Sequence, residues 1–129
     1  MELEINNQQS IAEVKQQFTQ LFPYLKLEFF YKRHKPGRPS NFKYLAKDEI
    51  KLSDFEISSN SDKIVITPKM SVNELEQSFG DRYGLGVQVF RKSGKVWLET
   101  IYTDVWTLAE QNSEGESLSK PLPPDELIL

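Results

Sequence analysis

Cysteine is missing from the 129 residues of this chain, and histidine occurs once, at His34. The first absence excludes disulfides, thiolate nucleophiles and cysteine zinc sites, and it agrees with a reducing cytoplasm. The second excludes metal ligation by a histidine pair, and no acidic loop of the EF-hand kind takes its place. Long apolar runs are also missing. No stretch approaches the roughly 20 residues that span a bilayer. The start, MELEINNQQS, has no basic region followed by an apolar one, so no secretory signal is expected. Glycines Gly80, Gly84 and Gly86 follow an expected helix instead of preceding one, which excludes a phosphate-cradling helix N-terminus there.

What remains is a globular composition, 38% hydrophobic and 27% charged, suited to one domain with a sizeable core. The net charge of −3 is unevenly spread: residues 26–51 carry eight Lys/Arg against three acids, and residues 96–129 one Lys against seven. A polyanion binder usually has a basic domain, so here only a local basic zone would serve.

An internal repeat organises the chain. At an offset of 61, Ser10, Glu13, Gln16 and Phe18 fall on Ser71, Glu74, Gln77 and Phe79, and Ile5, Ile11, Val14 and Phe22 on Ile66, Val72, Leu75 and Tyr83. At an offset of 60, Leu27, Phe29 and Phe30 meet Val87, Val89 and Phe90; KDEIKLSD at 47–54 then echoes TDVWTLAE at 103–110. Both Ser-x-x-Glu patterns read as capping boxes. The apolar stripes that follow predict amphipathic helices over about 10–22 and 71–83, ended by Pro23 and Gly84.

MELEI and KIVIT read as entry strands; LKLEFFYKR and LGVQVFR follow the helices. RKSGK turns the second copy into KVWLETIY as a hairpin, and by analogy HKPGRPS turns the first into NFKYLA. Each half is expected to be β-α-β-β, giving an α+β two-layer sandwich on a ferredoxin-like plan with extra hairpin strands. The expected domain covers residues 1–110 as two pseudo-repeats, 1–58 and 62–110. The acidic, Pro-rich tail 111–129 is expected to be disordered.

The stretch SVNELEQSFGDRYGLGVQVFRKSGKVWLETIYTDVWTLAEQN resembles small uncharacterised bacterial proteins with a V-x-x-L-x-x-x-F, [FY]-G-[LI] and T-L pattern. It covers the second half, with a degenerate echo in the first, where Pro23 stands in place of the glycine. The resemblance implies a fold unit and no chemistry.

Catalytic chemistry is poorly supplied, so no catalytic, cofactor or metal residue is assigned and the protein is not expected to be an enzyme. His34 is expected to be a solvated loop residue whose cationic neighbours lower its pKa. Pro36-Gly37-Arg38-Pro39 resembles the core of an AT-hook, but Pro36 stands where the hook has arginine, and Ser40, Asn41 and Phe42 break the downstream basic flank. As a hairpin tip it matches Arg91, Lys92 and Lys95 of the other half. Together with Lys32, Arg33, Lys35 and Arg38 these are the candidate polyanion contacts. Phe30 and Phe90, with Trp97 and Ile101, alternate onto the sheet face away from the helices. They form either an interaction surface or a minor core covered by Ile50 and Trp106. The expected function is that of an interaction module in the cytoplasm, binding a protein partner or itself through this face or a strand edge. Nucleic-acid binding by the two basic tips, 32–38 and 91–95, is the alternative. No membrane partner is expected.

Overall fold

The computed structural model of the chain describes residues 1–35, 38–55 and 63–120. Within them the first helix, α1 (Ile11–Leu21), begins at a complete capping box: the Ser10 hydroxyl accepts from the Glu13 amide and the Glu13 carboxylate accepts from the Ser10 amide. The second, α2 (Val72–Tyr83), makes half of that box, with the Ser71 hydroxyl accepting from the Glu74 amide. Its end is fixed by Gly84, whose φ of 68° lets the amide turn back to the Gly80 carbonyl. Ile11, Val14 and Phe18 of α1 and Val72, Leu75 and Phe79 of α2 are fully buried, as their spacing requires.

Among the described residues five strands form two antiparallel sheets. Strand β1 (Leu3–Ile5) pairs with β3 (Ile64–Ile66); the other sheet has the order β2 (Leu25–Phe30), β4 (Gly86–Ser93), β5 (Val96–Glu99). Helix α1 packs on β1 and β2, and α2 on β3 and β4, so the fold is α+β in two layers. The strands divide between two sheets, whereas a ferredoxin-like plan would place β1 beside other strands of one sheet. One cluster joins Ile5, Leu25, Leu27 and Phe29 to Ile66, Leu85, Val87 and Val89. Among the described residues no helix is long and apolar enough to cross a membrane.

The halves make matching backbone hydrogen bonds. The amides of Ile11 and Ala12 donate to Ile50 and Asp48; those of Val72 and Asn73 donate to Trp106 and Asp104. Likewise Leu52 and Ser53 donate to Gln9 and Asn7, as Leu108 and Ala109 donate to Met70 and Pro68. In the ladders Glu4 faces Val65 and Glu28 faces Gln88. The offsets of 61 and 60 bring just these residues together. Each pair therefore sits where an approximate twofold relating the halves would cross its sheet.

Two expectations are corrected here. NFKYLA is not a strand. Phe42–Tyr44 form a 3-10 turn because the Asn41 side chain caps the Lys43 amide, leaving one bridge, Phe30 to Leu45, beside β2. Residues 111–119 are not a disordered tail either, since a third helix, α3 (Leu108–Ser119), runs through the boundary expected at 110. Thr107 and Glu110 start it with a full capping box, and its buried inner positions are Leu108, Gln111 and Gly115. Polar Gln111 and bare Gly115 on the inner face hide the apolar periodicity. A Cβ on Gly115 would lie 2.9 Å from the Tyr24 Cβ, so helix and sheet approach at glycine distance. Pro36, Gly37, the linker 56–62 and residues 121–129 lie outside the described residues.

Candidate functional site

Of the two readings of the sheet face away from the helices, interaction surface or covered minor core, the cover is present, though from another residue than Ile50 or Trp106. Phe30 and Phe90 are 1% and 6% exposed. The cover is Phe42, delivered by the 3-10 turn, with ring centroids 5.4 Å from Phe30 and 6.1 Å from Phe90. Trp97 and Ile101 are part-buried. Lys26 lays its ammonium 5.3 Å from the Phe90 ring and 5.1 Å from Trp97. Ile50 packs on the main core and Trp106 lies against Arg91, so neither supplies the roof.

The basic residues do not converge. Strands β2 and β4 run antiparallel, with Leu25 opposite Arg91 and Phe30 opposite Gly86. The loop after Phe30, level with Gly86, and the hairpin after Ser93 therefore leave opposite ends of the sheet, about 23 Å apart at strand rise. Arg91 is no tip residue: Nη1 donates to the buried Gln111 Oε1 at 2.9 Å, and its guanidinium stacks 5.7 Å from Trp106. Lys32 lies over the Tyr44 ring, Arg33 reaches Asp81 at 3.6 Å, and Lys92 is part-buried. Lys35, Arg38 and Lys95 are exposed.

His34 departs furthest from expectation. Its side chain is 14% exposed, with Nε2 3.1 Å from a Glu76 oxygen and 3.3 Å from the Val87 carbonyl, and Nδ1 3.1 Å from the Lys35 carbonyl. Both ring nitrogens face acceptors, which demands the doubly protonated imidazolium. The Glu76 hydrogen bond, opposed by burial, raises its pKa from 6.5 to about 9. The cationic neighbours expected to lower it are turned elsewhere, Arg33 towards Asp81 and Lys35 into solvent. Burial pushes the Glu76 carboxyl above its ordinary range; His34 opposes this, and Asp104 and Glu99 add to it. Burial also raises Glu99, again against His34. A cleft of about 500 Å³ opens beside the pair, lined by Arg33, Lys35, Asn73, Gln77 and Asp104 among others.

An imidazolium this firmly protonated is a poor general base at neutral pH. The geometry makes His34 a latch holding residues 32–35 across the start of β4. The sequence does carry one signal for this. Glu76 falls between Val72 and Phe79 on the inner stripe of α2, where an acid needs a cation. Among the described residues no group of three or more His, Cys, Asp or Glu is placed to hold a metal.

The outer side of β5 remains. In the sheet order only β4 pairs with it, and among the described residues no backbone group bonds its far edge. Val96 is 56% and Leu98 43% exposed on one face, with Trp97 and Glu99 part-buried on the other. Tyr102 and Val105, just beyond the strand, are exposed too.

The chain was compared with protein-family models, curated proteins and solved structures, and none matches it.

Proposed function

We propose that the protein is a non-enzymatic interaction module that takes up another chain along the outer edge of β5. The observation that carries this is the unpaired edge flanked by outward apolar side chains. Among the described residues, four of the nine exposed large apolar ones, Val96, Leu98, Tyr102 and Val105, fall within residues 96–105. An open strand edge offers a row of backbone donors and acceptors, and neighbouring apolar side chains supply the rest of a docking surface. The reading moves the surface from the aromatic face, which Phe42 covers, to the strand beside it. Matched hydrogen bonds in the halves support reading the chain as a duplicated unit, and the lack of cysteine supports a cytoplasmic setting.

Polyanion binding has less support, because two of its three arginines, Arg33 and Arg91, are engaged and its two tips lie at opposite ends of the sheet. The test is photo-crosslinking from position 96, with position 13 on the far side of α1 as control. A discrete adduct is expected from 96 alone, disappearing when Leu98→Lys places a charge on the edge. Equal labelling from both positions, or an adduct indifferent to Leu98→Lys, refutes the edge as the binding surface.

A further inference from the structure

Resting on that edge reading, we infer that the chain β5 takes up is β5 of a second copy, paired antiparallel about Trp97. Three observations lead there.

The first is which backbone groups point outward. Ser93 faces Val96 across the two-residue loop Gly94–Lys95, with Gly94 at φ 61°. The pair that closes such a loop is hydrogen-bonded, and bonded and non-bonded pairs then alternate. The bond from the Thr100 amide to the Val89 carbonyl keeps this alternation. Lys92–Trp97 and Phe90–Glu99 are therefore the non-bonded pairs, and the amides and carbonyls of Trp97 and Glu99 face outward.

The second is self-complementarity. Residues 95–99 read Lys-Val-Trp-Leu-Glu, with a cation at one end, an anion at the other and apolar residues between. Placed antiparallel with Trp97 opposite its own copy, the segment sets Lys95 against Glu99 twice and Val96 against Leu98 twice. Directly opposed residues in an antiparallel pair must lie on the same face, so only registers centred on a residue are allowed. A pairing centred on Leu98 puts Lys95 against Ile101. One centred on Val96 puts Lys95 against Trp97. Only the Trp97 register satisfies both charges and both exposed apolar residues.

The third is geometry of assembly. An isologous contact has a twofold axis and closes, so the two three-stranded sheets join into one of six strands with no open-ended growth. The remaining edge of the sheet, β2, is blocked by residues 44–46, which bond Tyr31 and Phe29. The strand is four residues long, well below the contact area of a permanent dimer, so the pairing is transient and concentration-dependent.

The chain has no cysteine, which makes disulfide trapping of the full-length protein a clean test. Trp97→Cys is expected to cross-link to itself on mild oxidation. Val96→Cys and Leu98→Cys, oxidised as a mixture, are expected to give the 96–98 cross-link in preference to either self-cross-link. Sedimentation of the otherwise unaltered chain supplies a second readout. Lys95→Glu or Glu99→Lys alone is expected to weaken self-association about tenfold, from two lost charge pairs and two like-charge contacts, and the double exchange to restore it. A chain that stays monomeric at millimolar concentration, or traps cysteines indiscriminately, overturns the dimer. A photo-crosslink from position 96 to a different chain, with no self-trapping, overturns the dimer and leaves the edge reading intact. An edge silent in both experiments overturns both.

Discussion

Where α1 carries Lys15, the matching position of α2 carries Glu76, and the two halves solve the resulting electrostatics differently. Lys15 is held within its own half, 3.2 Å from Glu28 on β2 and 3.0 Å from Asp48 on the segment that straps the helix start. Glu76 faces Asp104, the counterpart of Asp48, so two acids meet where the first half has an acid and a base. The missing cation comes from outside: His34, on the loop after β2, crosses the start of β4 to reach Glu76. The first half is self-sufficient and its loop is long; the second half is completed by that loop and turns through a two-residue hairpin instead. The same division decides which strand edge stays open. Residues 44–46 bond β2 where residues 98–100 flank β4, but the preceding 3-10 turn folds Phe42 over the sheet and leaves no strand. In the second half the equivalent segment extends into β5.

If the halves share one supporting frame despite this, their matched core aromatics should be worth similar amounts. Phe18 and Phe79 are both fully buried, one beside Phe22 at 5.2 Å, the other edge-on to Phe29 at 5.2 Å. Phe18→Ala and Phe79→Ala are each expected to cost about 3–5 kcal/mol, read from urea unfolding of the chain. A cost confined to one of the two would break the equivalence.

A sharper contrast lies at Gly86, whose counterpart at an offset of 60 is Lys26. A Cβ on Gly86 would sit 2.4 Å from the Lys32 carbonyl oxygen and 3.0 Å from the Arg33 Cα, because the strap crosses there. Lys26 instead lays its side chain over Phe90 and Trp97. Gly86→Ala is expected to cost about 1–3 kcal/mol, since backbone and not a flexible side chain must give way. Lys26→Ala should cost about 0.5–1 kcal/mol, its cation–π contacts. Equal effects would mean that the strap does not press on β4.

Local signals explain what the sequence made legible. Ser10-x-x-Glu13, the apolar stripes and Gly84 act within one or two turns of chain, and both long helices lie where these place them. Thr107-Leu-Ala-Glu110 is the same kind of signal and marks the start of α3, but Gln111 and Gly115 replace apolar residues on its buried face, so the stripe that would extend it is missing. The roof over Phe30 and Phe90 was not legible, because it depends on Asn41 capping a short turn and carrying Phe42 across from another segment. His34 is not legible for a related reason. Its sequence neighbours are cations, whereas the partner that sets its charge is 42 residues away on α2. Strand alternation sets Phe30 and Phe90 on one face; what covers them is a tertiary fact.

The borrowed cation gives the comparison its finest test. His34 is the only histidine, so its ring resonances can be followed through pH without overlap. With its pKa raised from 6.5 to about 9, the folded chain holds a proton there that the unfolded chain releases between those values. The latch therefore contributes its full stability below pH 6.5, loses it progressively as pH rises, and contributes nothing above about 9. Burial of the Glu76 carboxyl, which raises its pKa, acts in the same sense: its extra proton uptake also favours the folded chain at lower pH. Arg33, Lys35 and Asp104 line the cleft beside the pair, and Asp104 and Glu99 add to the rise at Glu76. Glu76→Gln should bring the His34 midpoint down towards 6.5 and flatten the fall in stability across that window. Glu76→Lys should take the midpoint lower still, because it restores the charge arrangement of the first half, a lysine beside Asp104, and sets a cation against the imidazolium. A midpoint near 6.5 in the unaltered chain would mean that the second half needs no cation from the first.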